Sequence, residues 1–274
     1  MAASATVVTA GPHPPAKAGA EPPELALEEV SKSFGGFVAV NNVTASFPRG
    51  AVYGIIGPNG AGKTTLFHLL SGFLKPTAGR LRHRGEDITR LAPEAIAARG
   101  VVRSFQITSI FANLTVAENL VLPIQRREGG GTAFLRRSRW RQHHTDEIDE
   151  ILRQVHIPGD LRDRAASSLP YGLKRSLELG ISLAARPSLL LLDEPTAGMT
   201  VQDIRRVTDL IGRIAAGRTV IVVEHNLGVI ADLAQEILVL QQGALLTRGK
   251  YDEVRRDPRV IDAYLGTKGR HVHA

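Results

Sequence analysis

Residues 57–65 read GPNGAGKTT: four residues separate Gly57 from Gly62, and Lys63 and Thr64 follow at once. Glycines let the backbone curl so that successive amide N–H groups face inward, where they suit the oxygens of a phosphate. A helix starting at the second glycine would add its positive N-terminal end to the same anion. In this arrangement Lys63 supplies a point charge at the β- and γ-phosphates, and the Thr64 hydroxyl is a ligand for Mg2+. Gly57, Pro58, Asn59, Gly60, Ala61, Gly62, Lys63, Thr64 and Thr65 are the expected nucleotide-binding residues.

A second group capable of chemistry closes the run SLLLLDE at 188–194. Asp193 can hold Mg2+ through its water shell, and Glu194, one residue on, is placed to polarise an attacking water as general base. An Asp-Glu pair at a strand end could instead cap a helix; a phosphate loop in the same chain favours the metal reading. The tetrapeptide Asn-Lys-x-Asp, which would read guanine, does not occur.

These groups need strands to carry them. AVYGIIG (51–57) reads as a buried strand running into the glycine turn, and KTTLFHLLSGFL after it spaces its apolar residues as a helix does. ELALEEVSKSF (24–34) alternates like an early strand, while SLLLLDE and TVIVVEH (219–225) are short apolar strands ending on charged residues. Strands alternating with amphipathic helices predict an α/β fold with a largely parallel core sheet, whose ligands bind at the carboxyl ends of the strands. The segment from about 107 to 180 breaks the rhythm and reads as a mainly helical subdomain inserted into the sheet domain.

With 274 residues, 43% of them hydrophobic, the chain can bury a sizeable core. Cysteine is absent, which excludes disulfides and thiolate metal sites and fits a reducing compartment. The longest apolar runs are too short to span a bilayer, and residues 1–22, rich in Ala, Pro and Gly, predict a disordered tail outside the fold. The net charge is +7, and residues 126–141 hold six arginines against one glutamate. That run suits either a solvated loop or a face turned to anionic headgroups.

Taken together, these residues resemble the ATP-binding subunit of an ABC transporter from about 24 to 266. GPNGAGKTT is similar to the family's Walker A segment and LLLLDEP to its Walker B. The resemblance implies a P-loop NTPase core with a mostly parallel sheet, an antiparallel β subdomain and the inserted helical subdomain, with 267–274 left as a flexible tail. It makes Gln106 in VVRSFQ the Q-loop glutamine, near metal and lytic water, and His225 in VVEHN the switch histidine at the γ-phosphate. It also makes Phe34 in SKSFGG the aromatic that stacks on adenine. The implied catalytic set is Lys63, Gln106, Glu194 and His225; the implied metal ligands are Thr64, Gln106 and Asp193; the cofactors are ATP and Mg2+. RSFQITSIFANLTVAENL, DEPTAGM and DPRVIDAYLG resemble subunits of bacterial branched-chain amino-acid importers, with urea and short-chain amide importers sharing much of the pattern.

Leu169, Pro170, Tyr171, Gly172 and Leu173 lie where the family keeps its signature turn, usually Leu-Ser-Gly-Gly-Gln, which grips the γ-phosphate held by the opposite subunit. Tyr171-Gly172 resembles the branched-chain subgroup, whereas Pro170 offers neither hydroxyl nor N–H and Leu173 replaces the glutamine. The resemblance therefore implies a heterodimer with a second, different ATP-binding subunit and two unequal ATP sites. It further implies two membrane permeases, a periplasmic or extracellular substrate-binding protein, and a place at the cytoplasmic face of the plasma membrane. A pI near 10 also admits an ATPase acting on nucleic acid or ribosomes, but such proteins usually carry two ATPase modules in one chain, so no nucleic-acid partner is expected.

Overall fold

A computed structural model describes residues 21–104, 110–129 and 144–265. Gln106, residues 1–20, residues 266–274 and the arginines at 136, 137, 139 and 141 lie outside them. Two long strands, β1 (Leu25–Phe34) and β2 (Phe37–Phe47), form an antiparallel hairpin. Its turn is Gly35-Gly36, both at positive φ, as a tight hairpin requires. β3 (Val52–Ile56) then runs through the glycine loop into α1 (Lys63–Leu70). β4 (Ala78–His83) and β5 (Glu86–Asp87) return to β1, completing a four-stranded antiparallel sheet in the order β2-β1-β4-β5.

The remaining strands build the larger sheet. After α2 (Pro93–Ala98) comes β6 (Val101–Ser104). Among the described residues three α-helices follow, α3 (Val116–Arg127), α4 (Thr145–Gln154) and α5 (Tyr171–Ala184), which pack on one another. α3 begins with a capping box, Thr115 and Glu118 each satisfying the other's backbone N–H. β7 (Leu189–Asp193), α6 (Val201–Ile214), β8 (Thr219–Val223), α7 (Leu227–Leu233) and β9 (Glu236–Gln241) continue the alternation. β10 (Ala244–Gly249) is an antiparallel edge, and α8 (Tyr251–Val254) and α9 (Pro258–Leu265) end the described chain. The order is β10-β9-β3-β8-β7-β6, parallel from β9 to β6.

Continuous apolar runs are what a parallel sheet covered on both faces demands. In β7, Leu190 and Leu192 enter a core shared with α3, α5 and α6, while Leu189 and Leu191 enter a second core shared with α1 and the antiparallel sheet. Leu66, Phe67, Leu69 and Leu70 of α1 are buried in that second core, so the helix is clasped between the two sheets. Among the described residues no helix is long and apolar enough to cross a membrane.

Candidate active site

Register decides which residues meet. Ile55 of β3 stands opposite Val223 of β8, and Val223 stands opposite Asp193 of β7. The residues just past these positions emerge side by side at the carboxyl edge, where ligands of open α/β sheets bind. Gly57, Glu194 and His225 are thus neighbours because their strands are in step.

The loop turns through an Ala61 N–H to Pro58 O bond of 3.2 Å and enters α1 at Gly62, its N-cap, with φ +95°. A Cβ on Gly62 would lie 2.4 Å from the Ala39 carbonyl oxygen, and one on Gly57 2.3 Å from that of Leu240. Both contacts are with backbone and cannot be relieved by a rotamer change. Gly62→Ala is therefore expected to cost about 2–4 kcal/mol through overpacking and a left-handed backbone, a fall in Tm of roughly 5–15 °C, measurable by thermal unfolding of the nucleotide-free chain. Lys63 is buried, and its Nζ donates to Gly57 O at 2.7 Å and Pro58 O at 3.1 Å. Burial lowers the Lys63 pKa, while the Glu194 charge works the other way. Asn59, Gly60 and Thr64 are exposed, so the mouth of the cradle is open.

Asp193 ends β7, almost wholly buried, and its Oδ2 accepts from Arg103 Nη2 at 2.8 Å. Burial raises the Asp193 pKa, and Arg103 opposes the rise. The guanidinium stacks over Phe67 and Phe73, 4.9 and 5.4 Å from their centroids, and its buried Nε has no hydrogen-bond partner among the described residues. Glu194 leaves the strand at φ +45°, a left-handed conformation rare outside glycine, with its N–H bonded to Val223 O at 2.8 Å. That turn swings its carboxylate to His225, Oε1 to Nε2 2.6 Å.

Two further side chains hold this geometry. Glu224 is buried; one carboxylate oxygen accepts from Thr196 N–H and hydroxyl, the other from His225 and Asn226 N–H at 2.9 and 3.2 Å. It ties the loop after Glu194 to the loop bearing His225. Arg175 on α5 donates to Pro195 O at 3.1 Å and Glu194 O at 3.4 Å, anchored in turn by Glu178. Phe34 stands exposed at the β1 end of the hairpin, with Lys32 Nζ 5.1 Å from its ring. The Leu169–Leu173 turn starts α5: Leu169 is buried, Pro170 is the N-cap without a side-chain cap bond, and Leu173 packs on the larger core. Tyr171, though exposed, reaches the Ala197 carbonyl at 3.4 Å.

A family model described as "ABC transporter" matches residues 40–197, from β2 through the phosphate loop to the turn after Glu194. The chain belongs to the ABC transporter family. A second model, "Branched-chain amino acid ATP-binding cassette transporter", matches residues 244–269. The high-affinity branched-chain amino acid transport ATP-binding protein LivG of Salmonella typhimurium is 36% identical over 250 residues, 89% of this chain and 98% of LivG. BraF of Pseudomonas aeruginosa, which carries the same description, is 36% identical over 253 residues, again 89% of this chain and 98% of BraF. Among solved structures, the ADP conformation of an ATP-binding cassette of an ABC transporter superposes with a TM-score of 0.76 at 30% identity, covering 88% of this chain and 98% of that one.

As an ABC ATPase the chain binds adenine nucleotide and hydrolyses ATP. Its own charges are disposed for that chemistry. The amine of Lys63 stands at the N-terminus of α1, and Glu194 and His225 pair with each other at neighbouring strand ends. Sequence reasoning singled out the phosphate loop, Asp193 and Glu194, the family resemblance added His225, and neither reached Arg103, Arg175 or Glu224, which the structure joins to them. Only Glu224 left a trace, as a second acidic residue at a strand end beside a histidine.

Proposed function

We propose that the chain is the ATP-hydrolysing subunit of an importer that takes up branched-chain amino acids through separate membrane permeases. The observation that carries this reading is the match of residues 244–269 to the branched-chain model, because that stretch lies beyond the segment 40–197 that the general family model covers. The test is uptake of labelled leucine, isoleucine and valine by cells lacking this chain. Uptake should be lost and then restored by the wild-type chain but not by Glu194→Gln. Loss of urea or short-chain amide uptake instead would move the chain to that neighbouring subgroup.

In the proposed cycle Phe34 stacks on adenine and residues 57–65 hold the phosphates. Thr64 in the first turn of α1 and Asp193 at the end of β7, both hard oxygen donors, would fit Mg2+ alongside the nucleotide's own phosphates, with Gln106 a further ligand outside the described residues. When bound, the ion would neutralise charge on the transferring phosphoryl group. Glu194 takes the proton of the attacking water, and His225, hydrogen-bonded to it, faces the γ-phosphate. Permeases would dock near Phe73 and Phe111, both exposed; the backbone of Phe111 is held on both sides by the Asn119 amide. On this reading the subunit sits peripherally at the cytoplasmic face of the membrane and works with a substrate-binding protein outside.

A single phosphate loop leaves the γ-phosphate open on one side, so a second ATP-binding subunit must close over it. The altered turn Leu169–Leu173 serves the partner's nucleotide and argues for a heterodimer with one weaker site. Pro170→Ser would supply both a hydroxyl and a cap for α5. It is expected to raise ATP turnover of the assembled transporter by about ten- to a hundredfold, one charge-assisted hydrogen bond's worth. Unchanged turnover would sink the idea of unequal sites.

A further inference from the structure

β6 is the edge strand of the larger sheet, and its register fixes what Arg103 can reach. Arg103 stands opposite Leu191 of β7, so Asp193, two residues further on, lies diagonally across from it on the same face. The guanidinium takes that diagonal and gives Nη2 to one carboxylate oxygen, Oδ2, at 2.8 Å. No described residue donates to the other oxygen, Oδ1. The arginine is itself held in place. The ring of Phe67, buried in α1, and that of the half-exposed Phe73 both lie against the guanidinium, and Nη1 comes to 3.5 Å from the Ser71 hydroxyl. Its side chain is 9% exposed and that of Asp193 3%, so the pair is formed away from water.

Neutralising a buried carboxylate would need a cation near it and nothing more. The arrangement does more than that, and at a cost in stability, because the buried Arg103 Nε has no hydrogen-bond partner among the described residues. What it secures is direction. One oxygen of Asp193 is fixed from behind by a planar group that two aromatic rings hold, and the other is left for a ligand. Carboxylates that bind metal ions are commonly fixed by such a hydrogen bond, and its loss weakens metal binding by about 10- to 100-fold.

We propose that Arg103 is a positioning residue of the ATP site: steadied by Phe67 and Phe73, it fixes one oxygen of Asp193 so that the other meets Mg2+. The inference rests on Asp193 being a ligand of that ion in the proposed cycle, and it stands whatever the cargo. Full-length wild type, Arg103→Met and Phe73→Leu are each titrated calorimetrically with ATP twice, once with Mg2+ and once with EDTA. The quantity read is the gain in affinity that Mg2+ confers. Arg103→Met keeps an apolar stem against the two rings; its gain should fall about tenfold or more below that of wild type, while affinity in EDTA stays within about twofold. Phe73→Leu takes one ring from the guanidinium and removes no charge, so it serves even where Arg103→Met folds poorly, and its gain should fall by about two- to fivefold. A purely structural role would weaken binding alike with Mg2+ and with EDTA, and that result overturns the proposal, as does a wild-type gain in both variants. A wild-type chain that gains nothing from Mg2+ is a separate failure: it removes Asp193 from the role of ligand, and this inference with it.

Discussion

Glu194→Gln is expected to lower ATP turnover by about 10^2- to 10^4-fold, the usual contribution of a positioned general base, while ATP still binds. The amide keeps the shape of the carboxylate but cannot take a proton. Nothing that sets the position of the residue is lost, because the turn is held through backbone: the Glu194 N–H to Val223 O, and Arg175 to the Glu194 and Pro195 carbonyls. The bond to His225 survives as a neutral one. Separation of the two effects is the informative outcome. Turnover of the assembled transporter and nucleotide affinity of the purified chain should part company, and turnover within about tenfold of wild type would remove Glu194 from the role of base.

Lys63→Ala is expected to act on the other quantity. In the structure the amine bridges the Gly57 and Pro58 carbonyls, so its loss removes both a clasp on the loop and the fixed positive charge meant for the β- and γ-phosphates. Charge-assisted hydrogen bonds lost together should weaken ATP binding by about 10^2-fold or more. The fold should not suffer in proportion. Burial holds the Lys63 pKa below its ordinary value of 10.5, which means the folded chain binds this proton less well than the unfolded one. Stability therefore rises with pH through the window just under 10.5, and at neutral pH the buried ammonium is a burden whose removal leaves Tm unchanged or slightly higher. Thermal unfolding without nucleotide, set beside calorimetric titration with ATP, tests both halves; a large fall in Tm with affinity intact would contradict the assignment.

The residues proposed to handle phosphate were legible because their chemistry is local. GPNGAGKTT needs only its own spacing and the strand and helix beside it, and runs such as LLLL and TVIVV announce strands covered on both faces. Arg103 was not legible, since its meaning comes from Asp193, 90 residues away and adjacent only through the β6–β7 register. Glu224 and Arg175 were hidden for the same reason: each acts on backbone atoms of a distant loop. The odd turn at Leu169–Leu173 gained a partial explanation from packing, because Leu169 is buried in the core, Leu173 packs against it and Tyr171 braces Ala197. Packing gives no such account of Pro170.

The parallel sheet has a bearing on how freely this chain can change. The proposed reacting groups Asp193, Glu194 and His225 sit where strands end in step, and the strands' other ends open into connections such as Ala215–Arg218 between α6 and β8. Lengthening a connection at that far edge leaves the strands aligned and the chemistry untouched. One residue added inside β7 would push Asp193 and Glu194 on by about 3.3 Å and turn each to the opposite face. The molecule thus has a margin open to evolutionary tinkering and another closed to it, and the boundary between them runs along the five residues from Leu189 to Asp193.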